Sequence, residues 1–285
     1  MDEISAFWPK TTLQVRGTLV DLSTPAVMGI LNVTPDSFYA GSRAQGEDAL
    51  LTKAEQMRSE GATFLDVGGY STRPGAAEIS EVEETERVVA AIETLRRQFP
   101  DALISVDTFR ATVAEQAVAA GAGLINDVAG GSLDEAMYST VARLGVPYVL
   151  MHLRGTPQTM TKLAQYQNVT LEVITELRGK VGQLRALGVK DIVLDPGFGF
   201  AKTPEHNDQL LRNLGAFRVF ELPLLVGLSR KASIWRRLNI TPDEALNGTT
   251  VLNTVALMNG ASILRVHDVK EAMEAVRLTQ FLVNE

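Results

Sequence analysis

The sequence predicts a single (β/α)8 TIM barrel with a short N-terminal β-hairpin, and three features carry the prediction. A short apolar run, a polar or glycine-rich loop and an amphipathic helical stretch recur eight times within 285 residues. Near-continuous apolar runs such as Tyr148-Val149-Leu150-Met151 suit strands buried on both faces of a parallel sheet. The first strand runs into Leu31-Asn32-Val33-Thr34-Pro35, which lacks the glycine fingerprint of a doubly wound dinucleotide-binding sheet. No Pro/Ser-rich linker or low-complexity segment divides the chain. Residues 1–285 therefore read as one domain, with 1–24 an N-terminal extension and hairpin and 25–285 the barrel.

Turn signals and alternation over residues 11–21 predict the hairpin. Strands are expected at 27–33, 63–68, 102–106, 123–126, 146–151, 191–194, 223–227 and 262–266. Ser80 with Glu83 forms a capping-box signal for a helix that carries Val82, Val88, Val89, Ile92 and Leu95 on one face. Asp268 with Glu271 repeats the signal ahead of Ala272, Met273 and Val276. Gly121 and Gly188 stand where helix C-caps are expected.

Bulk composition narrows the function. A net charge of −7 disfavours nucleic acid and anionic membrane as partners, because phosphate contacts need a basic face. A small anionic substrate stays compatible, since a local Arg/Lys cluster can dominate the field in a cleft. No cysteine is present, which removes disulfide and thiolate chemistry and points to the cytoplasm. The acidic Met1-Asp2-Glu3 start lacks a signal pattern, and no run of about 20 apolar residues suggests a membrane span.

In such barrels chemistry sits at the C-terminal ends of the strands. Those ends carry Asn32, then Thr72 and Arg73 in the next loop, then Asp107, then Asn126 and Asp127. His152, Asp195, the run Ser229-Arg230-Lys231, and Arg265 with His267 follow. Any one of these could be an ordinary solvated strand end; the whole set converging on one mouth reads as a site. Three histidines without a His-Glu-x-x-His helix argue against zinc. Gly227-Leu228-Ser229 lacks the last glycine of a nucleophile elbow. The loop Gly68-Gly69-Tyr70-Ser71-Thr72-Arg73-Pro74-Gly75 reads as a wall that handles a ligand.

At this point the residues resemble a known family. Asn32-Val33-Thr34-Pro35-Asp36-Ser37-Phe38, the stretch 66–75, Ser105-Val106-Asp107-Thr108 and Ile125-Asn126-Asp127-Val128 look like signatures of the dihydropteroate synthases, a pterin-binding enzyme family. So do Met151-His152, Asp195-Pro196-Gly197-Phe198-Gly199-Phe200, Ser229-Arg230-Lys231 and Arg265-Val266-His267-Asp268, in the same order. Ala129 and Ala201 depart from the serine and glycine common in the family.

The resemblance implies an enzyme that joins a pterin bearing a CH2-diphosphate to 4-aminobenzoate and releases diphosphate. It places the pterin edge on Asp195 and Asn126, its carbonyl oxygen and ring nitrogen on Lys231, and Met151 beneath the ring. Asp107 would stabilise positive charge developing on the methylene carbon, with Arg265 and His267 on the diphosphate and Mg2+ held partly through Asn32. Asp107, Lys231 and Arg265 are thus the implied catalytic set. Thr72, Arg73, Pro74 and Phe200 would enclose 4-aminobenzoate, its carboxylate resting at a helix N-terminus near Ser229. Asp66, Asp127 and His152 are expected in structural roles, and a homodimer through outer helices near the C-terminus is implied.

Two other readings stay open at this level. A methyltetrahydrofolate-dependent methyltransferase domain shares a pterin pocket but has no diphosphate to expel. A pterin-binding paralogue without catalysis would keep the pocket alone.

Overall fold

The computed structural model describes residues 11–33, 43–71, 78–156 and 158–283. Two short strands, β1 (Thr12–Val15) and β2 (Thr18–Asp21), pair antiparallel around Arg16 and Gly17, both at positive φ. The barrel strands follow as β3 (Ala26–Asn32), β4 (Phe64–Gly68), β5 (Leu103–Asp107) and β6 (Leu124–Asp127). β7 (Tyr148–Met151), β8 (Ile192–Asp195), β9 (Leu225–Val226) and β10 (Ile263–Val266) complete the set. All eight run parallel in the order β8-β7-β6-β5-β4-β3-β10-β9, and a parallel bridge between Leu194 and Leu224 joins the two ends. Each predicted strand forms within a few residues of its expected place, β9 being the most shortened.

The helices are α1 (Arg43–Ser59), α2 (Glu81–Gln98), α3 (Ala111–Ala120), α4 (Met137–Leu144) and α5 (Val169–Ala186). They continue with α6 (Pro204–Arg212), α7 (Ala232–Leu238), α8 (Leu246–Met258) and α9 (Val269–Val283). Ser80 caps α2 by accepting the Glu83 amide at 3.1 Å, but the Glu83 carboxylate pairs with Arg87 rather than closing a capping box. Along α2, Val88, Ile92 and Leu95 are buried, while Val82 faces solvent and Glu84 turns inward instead. Gly121 caps α3 as expected; α5 ends one residue earlier, at Leu187, with Gly188 following at φ 86°. Asp268 gives both carboxylate oxygens to Arg230 at 2.8 Å, so the capping signal before α9 is spent on an ion pair.

Period-two alternation along the strands sorts their side chains. Val27, Leu31, Leu65, Val67, Ile104, Val106, Leu150 and Leu194 point outward into the core shared with the helices. Met28, Phe64, Leu124, Val149, Val193, Leu225 and Ile263 form a second, inner cluster with Leu13, Val15, Val20 and Leu22 of the hairpin segment. The hairpin therefore closes one end of the barrel with an apolar floor. Leu13 is fully buried and Leu19 is 69% exposed. Leu13→Ala should lower the free energy of unfolding by about 2–5 kcal/mol, whereas Leu19→Ala should change it by no more than roughly 0.5 kcal/mol. Urea titration of both variants measures this, and equal effects would mean that the hairpin is not a floor.

Candidate active site

Above the apolar floor the same inward-facing strand positions turn polar. Asn32, Gly68, Asp107 and Asn126 lie side by side in register across β3, β4, β5 and β6, and Met151 pairs with Asp195 across β7 and β8. Two residues down the same strands stand Asp66 and Ser105, and Arg265 occupies the inward position of β10. Gly68 matters because a Cβ there would sit 3.4 Å from Asp107 Cβ and 3.7 Å from Asn32 Oδ1. Its missing side chain lets those two groups approach each other.

Arg265 organises the inner wall. Its Nε donates to Asp66 Oδ2 at 2.6 Å and its Nη2 to Asp107 Oδ2 at 2.5 Å. Asn126 Nδ2 also donates to Asp66 Oδ2, at 3.0 Å. Asp66 is fully buried, and its role is to hold Arg265 and Asn126 in place. Burial pushes the Asp107 carboxyl up to about 7 against the opposing pull of the Arg265 guanidinium. Two carboxylates and one guanidinium in a low-dielectric interior leave the cluster poised to accept or shed a charge.

The opposite wall carries a second pair. Burial raises Asp195, with the Lys231 ammonium pulling the other way, and burial lowers Lys231 to about 8, with Asp195 opposing. Asp195 Oδ1 accepts the Gly197 amide at 2.7 Å. Among the described residues no partner meets Asp195 Oδ2 or Asn126 Oδ1, which leaves acceptors for a ligand. Lys231 donates to the Phe198 carbonyl, and its ammonium lies 4.8 Å from the centre of the Phe200 ring. Phe200 and Met151 share a small apolar cluster with Val128, Phe109 and Ala201, whereas Phe198 is buried in the outer core.

Ser229 and His267 meet at the end of β10, with Ser229 Oγ 3.0 Å from His267 Nδ1. The helix expected near Ser229 begins only at Ala232, with Lys231 at the cap position, because Arg230 takes a left-handed conformation at φ 53°. Its free amides therefore lie beyond Ser229, whose hydroxyl also accepts the His267 amide at 3.2 Å.

Thr72, Arg73 and Pro74 lie outside the described residues, as do residues 34–38. The flanks of 72–77 are described. Glu84, fully buried, accepts from Thr108 Oγ1 and from Arg110 Nη1, both at 2.6 Å. Arg110 in turn donates to Ile79 O at 2.9 Å and stacks 5.4 Å from the Tyr70 ring, tying both ends of that loop to one guanidinium. Glu84 gave no signal in the sequence, since an acid in a first helical turn reads as ordinary dipole chemistry. Asp66 did give one: it is the lone acid in an apolar strand. His152 and Asp127 are buried among internal partners, Asp127 accepting from Ala129 N, Gly131 N and Tyr148 Oη.

A model of the pterin binding enzymes matches residues 28–267, from within β3 to just beyond β10. The chain is also 44% identical to the dihydropteroate synthase of Escherichia coli (strain K12) over 270 residues, covering 94% of this chain and 95% of that protein. The chain belongs to the dihydropteroate synthase family. The Synechocystis dihydropteroate synthase is 42% identical over 280 residues, covering 97% of this chain and 96% of that one. Among solved structures, the dihydropteroate synthase of Yersinia pestis in complex with a sulfonamide drug superposes with a TM-score of 0.89 at 44% identity. It covers 96% of this chain and 100% of that chain. The Xanthomonas albilineans dihydropteroate synthase with 4-aminobenzoic acid gives 0.88 at 38% identity, covering 95% and 98%. Both the fold and the family that the motifs pointed to are thus found.

Replacing Arg265 tests the inner wall. Arg265→Met leaves Asp66 and Asp107 as uncompensated buried carboxylates and should cost about 3–5 kcal/mol near neutral pH. Because the folded Asp107 is raised, the stability it contributes is present below about 4 and lost as pH rises through about 7. Without the guanidinium that loss should extend further upward in pH, so the variant's deficit shrinks in acid. Denaturant titrations at several pH values measure the effect, and a pH-independent deficit would contradict it.

Proposed function

We propose that this chain is an active dihydropteroate synthase, condensing the pterin CH2-diphosphate with 4-aminobenzoate to give 7,8-dihydropteroate and diphosphate. The observation that carries the reading is the pairing of two opposite demands on one mouth: open acceptors on Asp195 and Asn126, and basic groups on Arg265 and Lys231 with His267 beside them. A methyltransferase of the same fold would need the first set and not the second. The 4-aminobenzoic acid in the Xanthomonas albilineans structure and the sulfonamide in that of Yersinia pestis are consistent with the same second substrate here.

In this reading the N–H donors of the pterin edge meet Asp195 Oδ2, while Asn126 Oδ1 and Lys231 Nζ serve its remaining polar atoms, and Met151 lies beneath the ring. Hydrogen bonds to charged groups of roughly 1.5–3 kcal/mol each orient the ring. Ionised Asp107 faces the methylene carbon, whose positive charge grows as the diphosphate departs in an SN1-like step. Arg265 uses Nε and Nη2 to hold Asp66 and Asp107 and keeps Nη1 for the departing diphosphate, with His267 beside it. The aniline nitrogen of 4-aminobenzoate is uncharged near neutral pH and needs no general base. Phe200 with Thr72, Arg73 and Pro74 encloses its ring, and the Ser229 hydroxyl receives its carboxylate.

Mg2+ fits this mouth as a partner of the diphosphate. Among the described residues no group of three or more His, Asp or Glu side chains forms a cage for a metal, while Asn32 Oδ1 borders the space beside Asp107. Asn32 would hold the ion, which supplies charge neutralisation to the diphosphate oxygens when bound.

Purified protein with Mg2+ should release diphosphate from the pterin substrate only as 4-aminobenzoate is consumed. Pterin binding without turnover would instead identify a silent paralogue. In the same assay kcat/KM for the pterin diphosphate should rise through about pH 7 as Asp107 ionises, and fall above about 8 as Lys231 loses its proton. A profile flat across that range would remove both groups from the mechanism.

The assembly we infer is a homodimer through α8 and α9, in the cytoplasm. These adjacent helices expose Val251, Val255 and Met258 on one and Leu278, Phe281 and Leu282 on the other, at helical spacing. Among the described residues no helix is long and apolar enough to cross a membrane. Phe281→Glu should shift the sedimentation coefficient from dimer to monomer, and an unchanged value would place the interface elsewhere.

A further inference from the structure

Lys202 is buried, and no step of the proposed reaction uses it. Its ammonium nitrogen lies 3.0 Å from each of three acceptors: the carbonyls of Gly197 and Phe200, and His152 Nδ1. Burial lowers Lys202 to about 7, with the Asp195 carboxylate opposing; in its protonated form its three protons meet these three acceptors, which makes His152 Nδ1 an acceptor. His152 Nε2–H then donates to Glu176 Oε2 at 2.9 Å. Burial lowers His152 to about 4, in keeping with a neutral ring. Glu176, on α5, is itself held by Arg154 Nε at 3.0 Å. A continuous polar chain therefore runs from an outer helix, past the end of β7, to the loop that follows Asp195.

That loop is gripped at successive backbone groups. Lys202 takes the carbonyls of Gly197 and Phe200, and Lys231 takes that of Phe198 between them. Asp195 accepts the Gly197 amide and Asn207 the Gly199 amide, at 2.7 and 2.8 Å. Gly197, at φ 73°, has no room for a side chain, since a Cβ would collide with the His152 carbonyl and lie 3.3 Å from Lys202 Nζ. The residue before each lysine, Ala201 and Arg230, is left-handed at φ 48° and φ 53°. The chain accepts local strain at both positions in order to aim the two ammonium groups at one loop.

We propose that Lys202 is a positioning residue for the pterin pocket, clamping the 197–200 loop from its buried side so that Asp195, Phe200 and Lys231 keep their mutual placement. The identity of the ligand rests on the synthase reading above; the clamp does not. Lys202→Met keeps the stem and removes the donors. In the ligand-free variant, amide hydrogen exchange at Gly197 and Gly199 should accelerate relative to the parent. Calorimetry with the pterin diphosphate, without 4-aminobenzoate, should show Kd weakened by about tenfold or more, the loss expected for hydrogen bonds from a charged donor. With both substrates saturating, kcat should stay within about threefold, because the groups facing the reacting carbon are unchanged.

A second pair of variants covers the case in which Lys202→Met does not fold. His152→Asn offers Lys202 a carbonyl acceptor near the Nδ1 position and should bind the pterin nearly as the parent does. His152→Leu offers none and should weaken binding as the lysine variant does. A folded Lys202→Met protein with parental exchange and parental Kd would overturn the clamp, and so would equal affinities in the two His152 variants. If the parent protein itself bound no pterin, the synthase reading would fall, and the exchange rates at Gly197 and Gly199 would still decide on the clamp.

Discussion

One guanidinium inside a barrel determines much of what surrounds it. Arg265 on the last long strand binds Asp66 on β4 and Asp107 on β5, positions 199 and 158 residues away in sequence. A charge so placed is tolerable only with partners, and partners so placed are tolerable only with the charge. The pairing therefore fixes both the polar half of the barrel interior and the register of the strands that supply it. The Asp107 carboxyl owes its intermediate proton affinity to this balance, since burial and Arg265 pull in opposite directions.

The barrel as a whole was legible because its signals are local and repeated. Alternation along a strand decides which side chains face in, so Asp107, Asn126, Asp195 and Arg265 could be placed on one mouth from spacing and strand order. The family motifs then separated a site from a set of solvated strand ends. Partnerships across the fold were not legible. Asp66 was expected in a structural role, yet nothing in the sequence joined it to Arg265. Nothing in the sequence marks Glu84, an acid in a first helical turn, or shows a shifted proton affinity for Lys202 after its glycine-rich loop; burial and partners define both, and those are tertiary facts. The helix placed near Ser229 starts later because Arg230 adopts a left-handed backbone, which no propensity marks for arginine.

The two walls of the mouth solve the same problem by different means. On the Arg265 side the charges neutralise one another directly, through side chains on rigid strands. On the Asp195 side the cations Lys231 and Lys202 bond mainly to backbone carbonyls, and the loop between them carries the aromatic Phe200. A wall on strands suits charge that must stay fixed while the reaction proceeds. A wall on a braced loop suits shape recognition of flat rings, where small adjustments are tolerable.

The hairpin beneath the barrel adds a consequence for traffic. Leu13, Val15, Val20 and Leu22 pack on the inner strand residues and cover the lower end of the barrel with apolar side chains. Asp195 and Asn126, the acceptors proposed for the pterin, sit on the strands, while Phe200 and Ser229, proposed for 4-aminobenzoate, sit in the segments that follow β8 and β9. In that proposed arrangement a ligand in the upper berth would block the passage of one in the lower. The deeper ligand would then be first in and last out, its only other exit covered by the hairpin at the far end of the barrel.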